Sequence, residues 1–307
     1  LIAEHLRRTL PTARRVRLRA LIQRRLAGSR PGWTPPGDDP AHIEPSAGFV
    51  HIVRERAHAE LARSSAAWDR SPSADTALAR LRAMIADRAP AAQIERLLAQ
   101  ADGMPGAPAA RAELVALGAQ HRAHVEGELD EALADLRAAE ESAGGYASLL
   151  RARGVAIELA LRAVPADHER RLAPPRPGQP SEAPEAAATR HGVAALVATT
   201  EGRLAASEQH LEQMRRSLGG ALDSRGELID GLNLLGTGRL DAARALAARG
   251  ADASRGAFDA DALRRYGYLS ALCDMLRGDY APIESISEEI FGPGDPPAAL
   301  QLTQLAM

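Results

Sequence analysis

Residues 193–221 read VAALVATTEGRLAASEQHLEQMRRSLGGA, and their apolar pattern decides the fold class. Apolar or small residues recur at alternating steps of four and three for about four heptads, the pattern of a coiled-coil seam. The seam positions are Val193, Val197, Thr200, Leu204, Ser207, Leu211, Met214, Leu218 and Ala221. The pattern predicts a long bundle helix or a coiled-coil hairpin, with a seam through which the chain could self-associate.

The composition of the whole chain favours the same class. Of its 307 residues 45% are hydrophobic but only 3% are aromatic, so the apolar surface is built mainly from Leu, Ala, Val and Ile. Ala and Leu are the strongest helix formers, whereas the residues that favour strands are sparse. We therefore predict an all-α protein, and the length favours two domains.

A proline-rich stretch divides the chain. Residues 165–190 contain several prolines, which cannot continue a helix, and have little apolar surface to bury. This predicts a linker between an N-terminal helical bundle at 1–164 and a C-terminal part at 191–307. The bundle includes a helix predicted over 109–142, and the C-terminal part begins with the long heptad helix.

The N-terminal segment is strongly basic. Residues 1–30 hold nine arginines and one glutamate, a net charge of +8, while the whole chain has a formal charge of −2. The chain contains no lysine, a bias typical of GC-rich coding DNA and of high-GC bacteria. The near-neutral total excludes a general polyanion binder, so any such role must be local.

Apolar residues alternate with these arginines, so the segment is amphipathic if it is helical. It could grip nucleic-acid phosphates, lie on an anionic membrane, or dock on an acidic protein surface. One such surface is in this chain, at 126–141 (EGELDEALADLRAAEE), and we favour docking. The candidate contact residues are Arg14, Arg15, Arg17, Arg19, Arg24 and Arg25.

Two C-terminal stretches share a helix–turn–helix pattern. They are DGLNLLGTGRLDAARALAARG (230–250) and LRRYGYLSALCDMLRGDYAPIESISEEIF (263–291), each with a glycine at the turn. Over about residues 228–291 they resemble the tetratricopeptide repeat. The matching residues are Gly231, Gly238, Leu240 and Ala243 in the first unit, and Ala271, Gly278 and Tyr280 in the second.

The resemblance is incomplete. Pro282 and Ile283 depart from the pattern, and the turn glycines are 40 residues apart rather than the family's period of about 34. Membership of this family would imply α-hairpins that stack into a solenoid with a groove for peptides or partner proteins. An ordinary α-hairpin in a bundle is the alternative.

Two histidine and glutamate trios have spacings that can place metal ligands on one helix face. The first is His51, Glu55 and His58, and the second is His121, His124 and Glu128. Neither forms a known metal motif, and with nine histidines and 40 acidic residues such spacings arise by chance. We predict no metal site, and keep a helical metalloenzyme as an alternative.

The sequence contains no phosphate-binding loop and no serine nucleophile elbow, and it implies no cofactor. No apolar run approaches the ~20 residues of a membrane span, and no signal peptide is visible. We therefore predict a cytoplasmic, non-enzymatic scaffold or adaptor that acts through protein partners. A helical nucleic-acid-associated regulator that uses the N-terminal arginines is the alternative.

Overall fold

The computed structural model describes residues 45–278 except 88, 179 and 258, and of residues 45–54 and 260 it describes only the backbone. Over these residues the chain forms twelve α-helices and no strand, which confirms the all-α prediction. They are α1 (Pro45–Arg70), α2 (Ala74–Ala86), α3 (Ala91–Ala101), α4 (Pro108–His121), α5 (Leu129–Glu140), α6 (Ala147–Leu161), α7 (His168–Arg171), α8 (Pro184–Thr200), α9 (Leu204–Ser217), α10 (Ser224–Gly236), α11 (Leu240–Ala257) and α12 (Ala260–Arg277). None of these helices has the length and hydrophobicity needed to cross a lipid bilayer.

Local sequence signals set several helix starts. Ser73 and Thr76 form a capping box before α2, in which each side chain accepts a hydrogen bond from the other residue's backbone N–H. The carboxylates of Asp223 and Asp259 accept backbone N–H groups at the starts of α10 and α12. Pro184 lies in the first turn of α8, where its missing N–H leaves no helical hydrogen bond unmade.

The described core is a series of five apolar clusters that follow one another along the chain. The first joins α1–α4, the second α4–α6 with the start of α8, the third α6 and α8, the fourth α8–α10, and the fifth α10–α12. Neighbouring clusters share a helix that contributes a different face to each. In α10, for example, Ile229 lies in the fourth cluster and Leu228 in the fifth. The five clusters are therefore linked in series by shared helices from α1 to α12.

The predicted linker at 165–190 is part of this core. Leu172 is buried in the third cluster, and α8 already begins at Pro184. The backbone N–H of Ala183 donates to the carbonyl of Gly145, at 3.0 Å. Leu172 packs on α6 and α8, whereas the segment between α7 and α8 is irregular and mostly exposed. The stretch therefore includes the short helix α7 and the start of α8, and its role as a boundary between two domains stays a prediction.

The predicted heptad helix is two antiparallel helices. Helix α8 ends at Thr200, Gly202 turns the chain with a φ of +77°, and α9 begins at Leu204. The seam residues Val197 and Leu211 are buried inside the chain, 1% and 3% exposed. Of the two predicted structures, the single long helix is therefore wrong, and the seam belongs to a helical hairpin. The apolar seam is used within the chain, so this packing does not support self-association through it.

The first repeat-like stretch forms the expected hairpin of α10 and α11. Gly238 lies in the turn with a φ of +74°, and Ala243 is fully buried. Gly231 allows the side chain of Leu269, in α12, to approach the backbone of α10 so closely that a Cβ would overlap it. In the second stretch α12 ends at Arg277 with Gly278 as its C-cap, and residues 279–307 lie outside the described residues. The repeat resemblance itself stays a prediction.

Candidate functional site

The first histidine trio lies on α1. The side chain of His51 is outside the described residues, and Glu55 is exposed. The His58 ring is 79% exposed, and its Nδ1 lies 3.6 Å from the carboxylate of Asp87. A side chain this exposed, next to one carboxylate, is typical of a surface ion pair rather than of a metal ligand.

The second trio is divided by a change in helix geometry. The predicted helix over 109–142 ends in a π-helical turn at Arg122–Glu126, and Gly127 then adopts a φ of +78°. Glu128 therefore lies beyond the helix that carries His121 and His124, and its carboxylate is 3.9 Å from Nε of Arg122. The expected common face of the trio was wrong, because the helix does not continue through Gly127.

The two histidines of this trio are half-buried. His121 Nε2 lies 3.8 Å from the carboxylate of Glu126. Burial lowers the pKa of both His121 and His124, and the nearby Glu126 only partly opposes this for His121. Within the described part of the chain, no three His, Cys, Asp or Glu side chains are grouped as a metal site would require.

The six arginines predicted to contact a partner, from Arg14 to Arg25, lie outside the described residues. The acidic stretch proposed to receive them is described. We call residues 122–141, the π-helical turn and α5, the acidic surface. It holds two arginines and seven acidic residues, a net charge of −5.

Some acidic groups of this surface are already paired. Arg122 alone lies within ion-pair distance of Glu126, Glu128 and Asp135. Among the residues with described side chains, Glu131 and Glu141 have no ion pair and are exposed. Val125, 56% exposed, adds an apolar patch among these charges. The acidic surface therefore combines excess negative charge with an exposed apolar side chain.

A central cavity of about 170 Å³ lies where α6, α8, α9 and α10 converge, with side chains from α4 and α12 at its edge. The lining combines a set of apolar side chains, the apolar wall, with a set of charged side chains. The apolar group is Ala156, Val193, Leu196, Met214, Leu228 and Ile229, and the charged group is Glu113, Arg153, Glu185, Asp223, Arg225 and Arg265. A dry cavity of about 150 Å³ can hold a benzene ring, so this space fits one small organic group.

Arg153 is the most buried charged group of the central cavity. Its side chain is 11% exposed, and its nearest carboxylate, that of Glu113, lies 3.6 Å from Nη2. Its buried Nε finds no hydrogen-bond acceptor among the described residues. Burial, together with the nearby Arg225, lowers the pKa of Arg153 to about 10. A buried donor without a partner destabilises the fold by about 1–3 kcal/mol, so Arg153 is retained at an energetic cost.

The other charges of the central cavity leave this arginine poorly neutralised. Glu113 is shared with Arg82, at 3.7 Å, and both of its ion pairs are longer than hydrogen bonds. The Asp223 carboxylate accepts the backbone N–H groups of Arg225 and Gly226, at 3.1 and 2.9 Å. It therefore caps α10, and its other oxygen lies 3.9 Å from Nε of Arg225.

A buried ion pair and two histidines form a second polar network on α8. Arg190 donates to both carboxylate oxygens of Glu182, at 2.8 Å each, and the two side chains are 8% and 13% exposed. Arg190 Nη2 also lies 3.3 Å from Nε2 of His191, whose Nδ1 is 3.2 Å from Nδ1 of His210 in α9. A guanidinium only donates, so Nε2 of His191 accepts and its Nδ1–H donates to His210. This arrangement requires both histidines to be neutral.

The histidine pair makes stability depend on pH. Burial, Arg190 and His210 lower the pKa of His191 to about 4, whereas an unfolded histidine has a pKa of about 6.5. As the pH falls from about 6.5 toward 4, His191 becomes protonated in the unfolded chain but stays neutral in the folded chain. The free energy of unfolding therefore decreases in this pH range. With allowance for solvent screening, we expect His191 to contribute about 1–2 kcal/mol of this loss.

Urea unfolding of the His191→Gln variant, at pH values of about 7.5 and 5, checks this prediction. The variant is expected to lose less stability between the two pH values than the unmodified protein. His58→Gln, at a site 79% exposed, is the control and should keep the original pH dependence. Equal pH dependence in all three proteins would contradict the assignment.

No motif in the sequence predicts the central cavity. One signal was present: Arg153 stands in the apolar run of α6, directly before Gly154. An arginine in such a run indicates a buried charge, but the run does not reveal which distant residues surround it.

Comparisons with protein-family models, curated proteins and solved structures find no match to this chain.

Proposed function

We propose that this protein is a non-enzymatic helical adaptor that binds protein partners through the acidic surface. The partner element that fits this surface is a basic amphipathic helix. Residues 7–25 of this chain have that composition, and we propose that they dock there, within one chain or between two copies. Their arginines then serve a protein contact rather than a nucleic-acid contact.

The observation that carries this proposal is the net charge of −5 around the exposed Val125. Residues 1–30 carry the complementary charge of +8, with apolar side chains among the arginines. The ion pairs already present do not block docking. Asp130 and Arg162, for example, are 75% and 58% exposed, and such pairs contribute about 0–1 kcal/mol and exchange partners readily.

A synthetic peptide of residues 7–28 tests the proposal. The recipient is the full chain with Arg14, Arg15, Arg24 and Arg25 changed to Gln, so that its own segment competes less. We expect the peptide to bind, and the further changes Glu131→Arg and Glu141→Arg to weaken binding roughly tenfold or more. The measurement is fluorescence anisotropy at low ionic strength.

The matched control carries Glu169→Arg and Glu208→Arg, which give the same change in net charge at other exposed positions. This control is expected to bind the peptide nearly as well as the recipient does. No binding to the recipient, or equal losses in both charge-reversed variants, would refute docking on the acidic surface.

The nucleic-acid alternative predicts a different result for the unmodified chain. Free arginines would bind duplex DNA with an affinity that falls with salt by a slope of roughly −0.9 per phosphate contact. We expect only weak duplex binding. Submicromolar affinity at physiological salt, abolished by the four Gln changes while the fold survives, would favour the alternative.

A further inference from the structure

We propose that the central cavity binds a small aliphatic carboxylate, with the carboxylate at Arg153 and the alkyl group on the apolar wall. This site is separate from the acidic surface, and the inference does not depend on the proposed adaptor function. It assigns to the protein a small-molecule ligand of defined chemistry.

The charges of the central cavity favour an anion. Arg153 has one unpartnered Nε donor and a single carboxylate at 3.6 Å, which it shares with Arg82. Arg225 and Arg265 line the same space, where like charges repel one another. Arg265 donates to the Ser224 hydroxyl, at 2.9 Å. A hydroxyl is uncharged, so this hydrogen bond does not neutralise the guanidinium. A carboxylate beside Arg153 would accept the free hydrogen bond and reduce this repulsion.

The remaining carboxylates of the central cavity do not take that place. Asp223 is occupied with the backbone at the start of α10, and Glu185 lies near the hydroxyl of Tyr146, whose pKa burial and this carboxylate raise. Glu113 approaches Arg153 but stays beyond hydrogen-bond distance. Among the described residues, Glu113 is thus the one carboxylate within ion-pair distance of Arg153, and it leaves the buried Nε donor without an acceptor.

The size and walls of the central cavity favour a short alkyl chain. A volume of about 170 Å³ holds a group slightly larger than benzene. The lining also includes Val193, Met214 and Ile229, which a purely inorganic anion would leave uncovered. A branched acid of about seven non-hydrogen atoms, such as 3-methylbutanoate, offers a carboxylate for Arg153 and an alkyl group for the apolar wall. We expect a dissociation constant near millimolar for a ligand of this size.

Calorimetric or ligand-observed NMR titration of the full chain tests the proposal with four probes. These are 3-methylbutanoate, its uncharged isostere 3-methylbutanamide, acetate and inorganic phosphate. We expect 3-methylbutanoate to bind roughly tenfold or more tightly than any of the other three, because only it offers both a carboxylate and an alkyl group.

Variants assign the binding to Arg153. Arg153→Met is expected to abolish binding of 3-methylbutanoate, and Glu113→Gln to strengthen it several-fold by removing the competing carboxylate. Arg151→Met is the matched control: Arg151 lies on the same helix, is 22% exposed and pairs with Glu140, also at 3.6 Å, but does not line the central cavity. It should bind 3-methylbutanoate as the unmodified protein does.

A second pair of variants covers the case in which Arg153→Met does not fold. Thr189→Trp places a large ring at the central cavity, while Thr200→Trp places it on an exposed part of the same helix. Both threonines donate to the carbonyl four residues earlier, at 2.9 Å, so each change removes the same local contact. Only Thr189→Trp should lose binding.

Three outcomes would overturn the proposal. One is no detectable binding of 3-methylbutanoate at concentrations of about 20 mM, well above the affinity expected for a ligand of this size. Another is equal affinity for the amide, acetate or phosphate, and the third is undiminished binding in Thr189→Trp. None of these results bears on peptide binding at the acidic surface.

Discussion

Replacing Arg190 with methionine is expected to lower the free energy of unfolding by about 3–5 kcal/mol. The substitution removes both hydrogen bonds to Glu182, whose side chain is only 13% exposed. Burial alone would raise the pKa of Glu182, but Arg190 holds it below its usual value. Without Arg190 the carboxylate must stay buried and uncompensated, take up a proton, or pull residue 182 away from α8.

Chemical denaturation of a double-mutant cycle measures this effect. The double variant Arg190→Met with Glu182→Met should recover most of the lost stability, because it removes both buried charges. Arg170→Met is the control: its pair with Asp167, at 2.8 Å, is 78% and 43% exposed, so its loss should change stability by no more than about 0.5–1 kcal/mol. Strictly additive single changes would contradict the explanation.

Gly250→Ala is expected to destabilise the protein by about 2 kcal/mol, although alanine is the better helix former. A Cβ on Gly250 would overlap the buried ring of Tyr266. The ring cannot swing aside freely, because its hydroxyl donates a hydrogen bond to the carboxylate of Glu227. The clash must therefore separate α11 from α12 or break that hydrogen bond.

Gly256→Ala, on the same helix, is expected to stabilise the protein. A Cβ at this exposed position meets nothing within 4 Å. The gain in helix propensity should raise stability by about 0.5–1 kcal/mol. Thermal or urea unfolding measures the stability of both variants. Destabilisation by Gly256→Ala as well as by Gly250→Ala would contradict the explanation, because Gly256→Ala creates no clash.

The sequence predicted the all-α class because that class depends on composition and local periodicity. The heptad seam was read correctly as helical, but its period does not record a reversal of the chain. An antiparallel hairpin buries the same face of both helices, so the pattern continues across Gly202. Of the seam residues, Ser207 is fully buried and hydrogen-bonds Thr199 and Asn233, a pairing that only the hairpin allows.

The candidate site could not be predicted in the same way. Glu113, Arg153, Val193, Arg225 and Arg265 come from five helices spread over about half of the chain. Only the packing of those helices brings them together, and periodicity within one helix carries no information about it. The proline-rich stretch was predictable in part: its prolines exclude a helix interior, but the burial of Leu172 depends on contacts with distant residues.

The serial arrangement of the five apolar clusters has a consequence for how the molecule loses structure. The clusters are tied together through shared helices, and α8 contributes to the second, third and fourth of them, so cooperativity passes along the series with α8 at its middle. The pair α11–α12 can open by breaking the contacts of the fifth cluster alone, while an opening at α8 disrupts three clusters at once. Local unfolding of the described helices should therefore begin at the ends of the series, and amide hydrogens of α8 should be among the last to exchange with solvent.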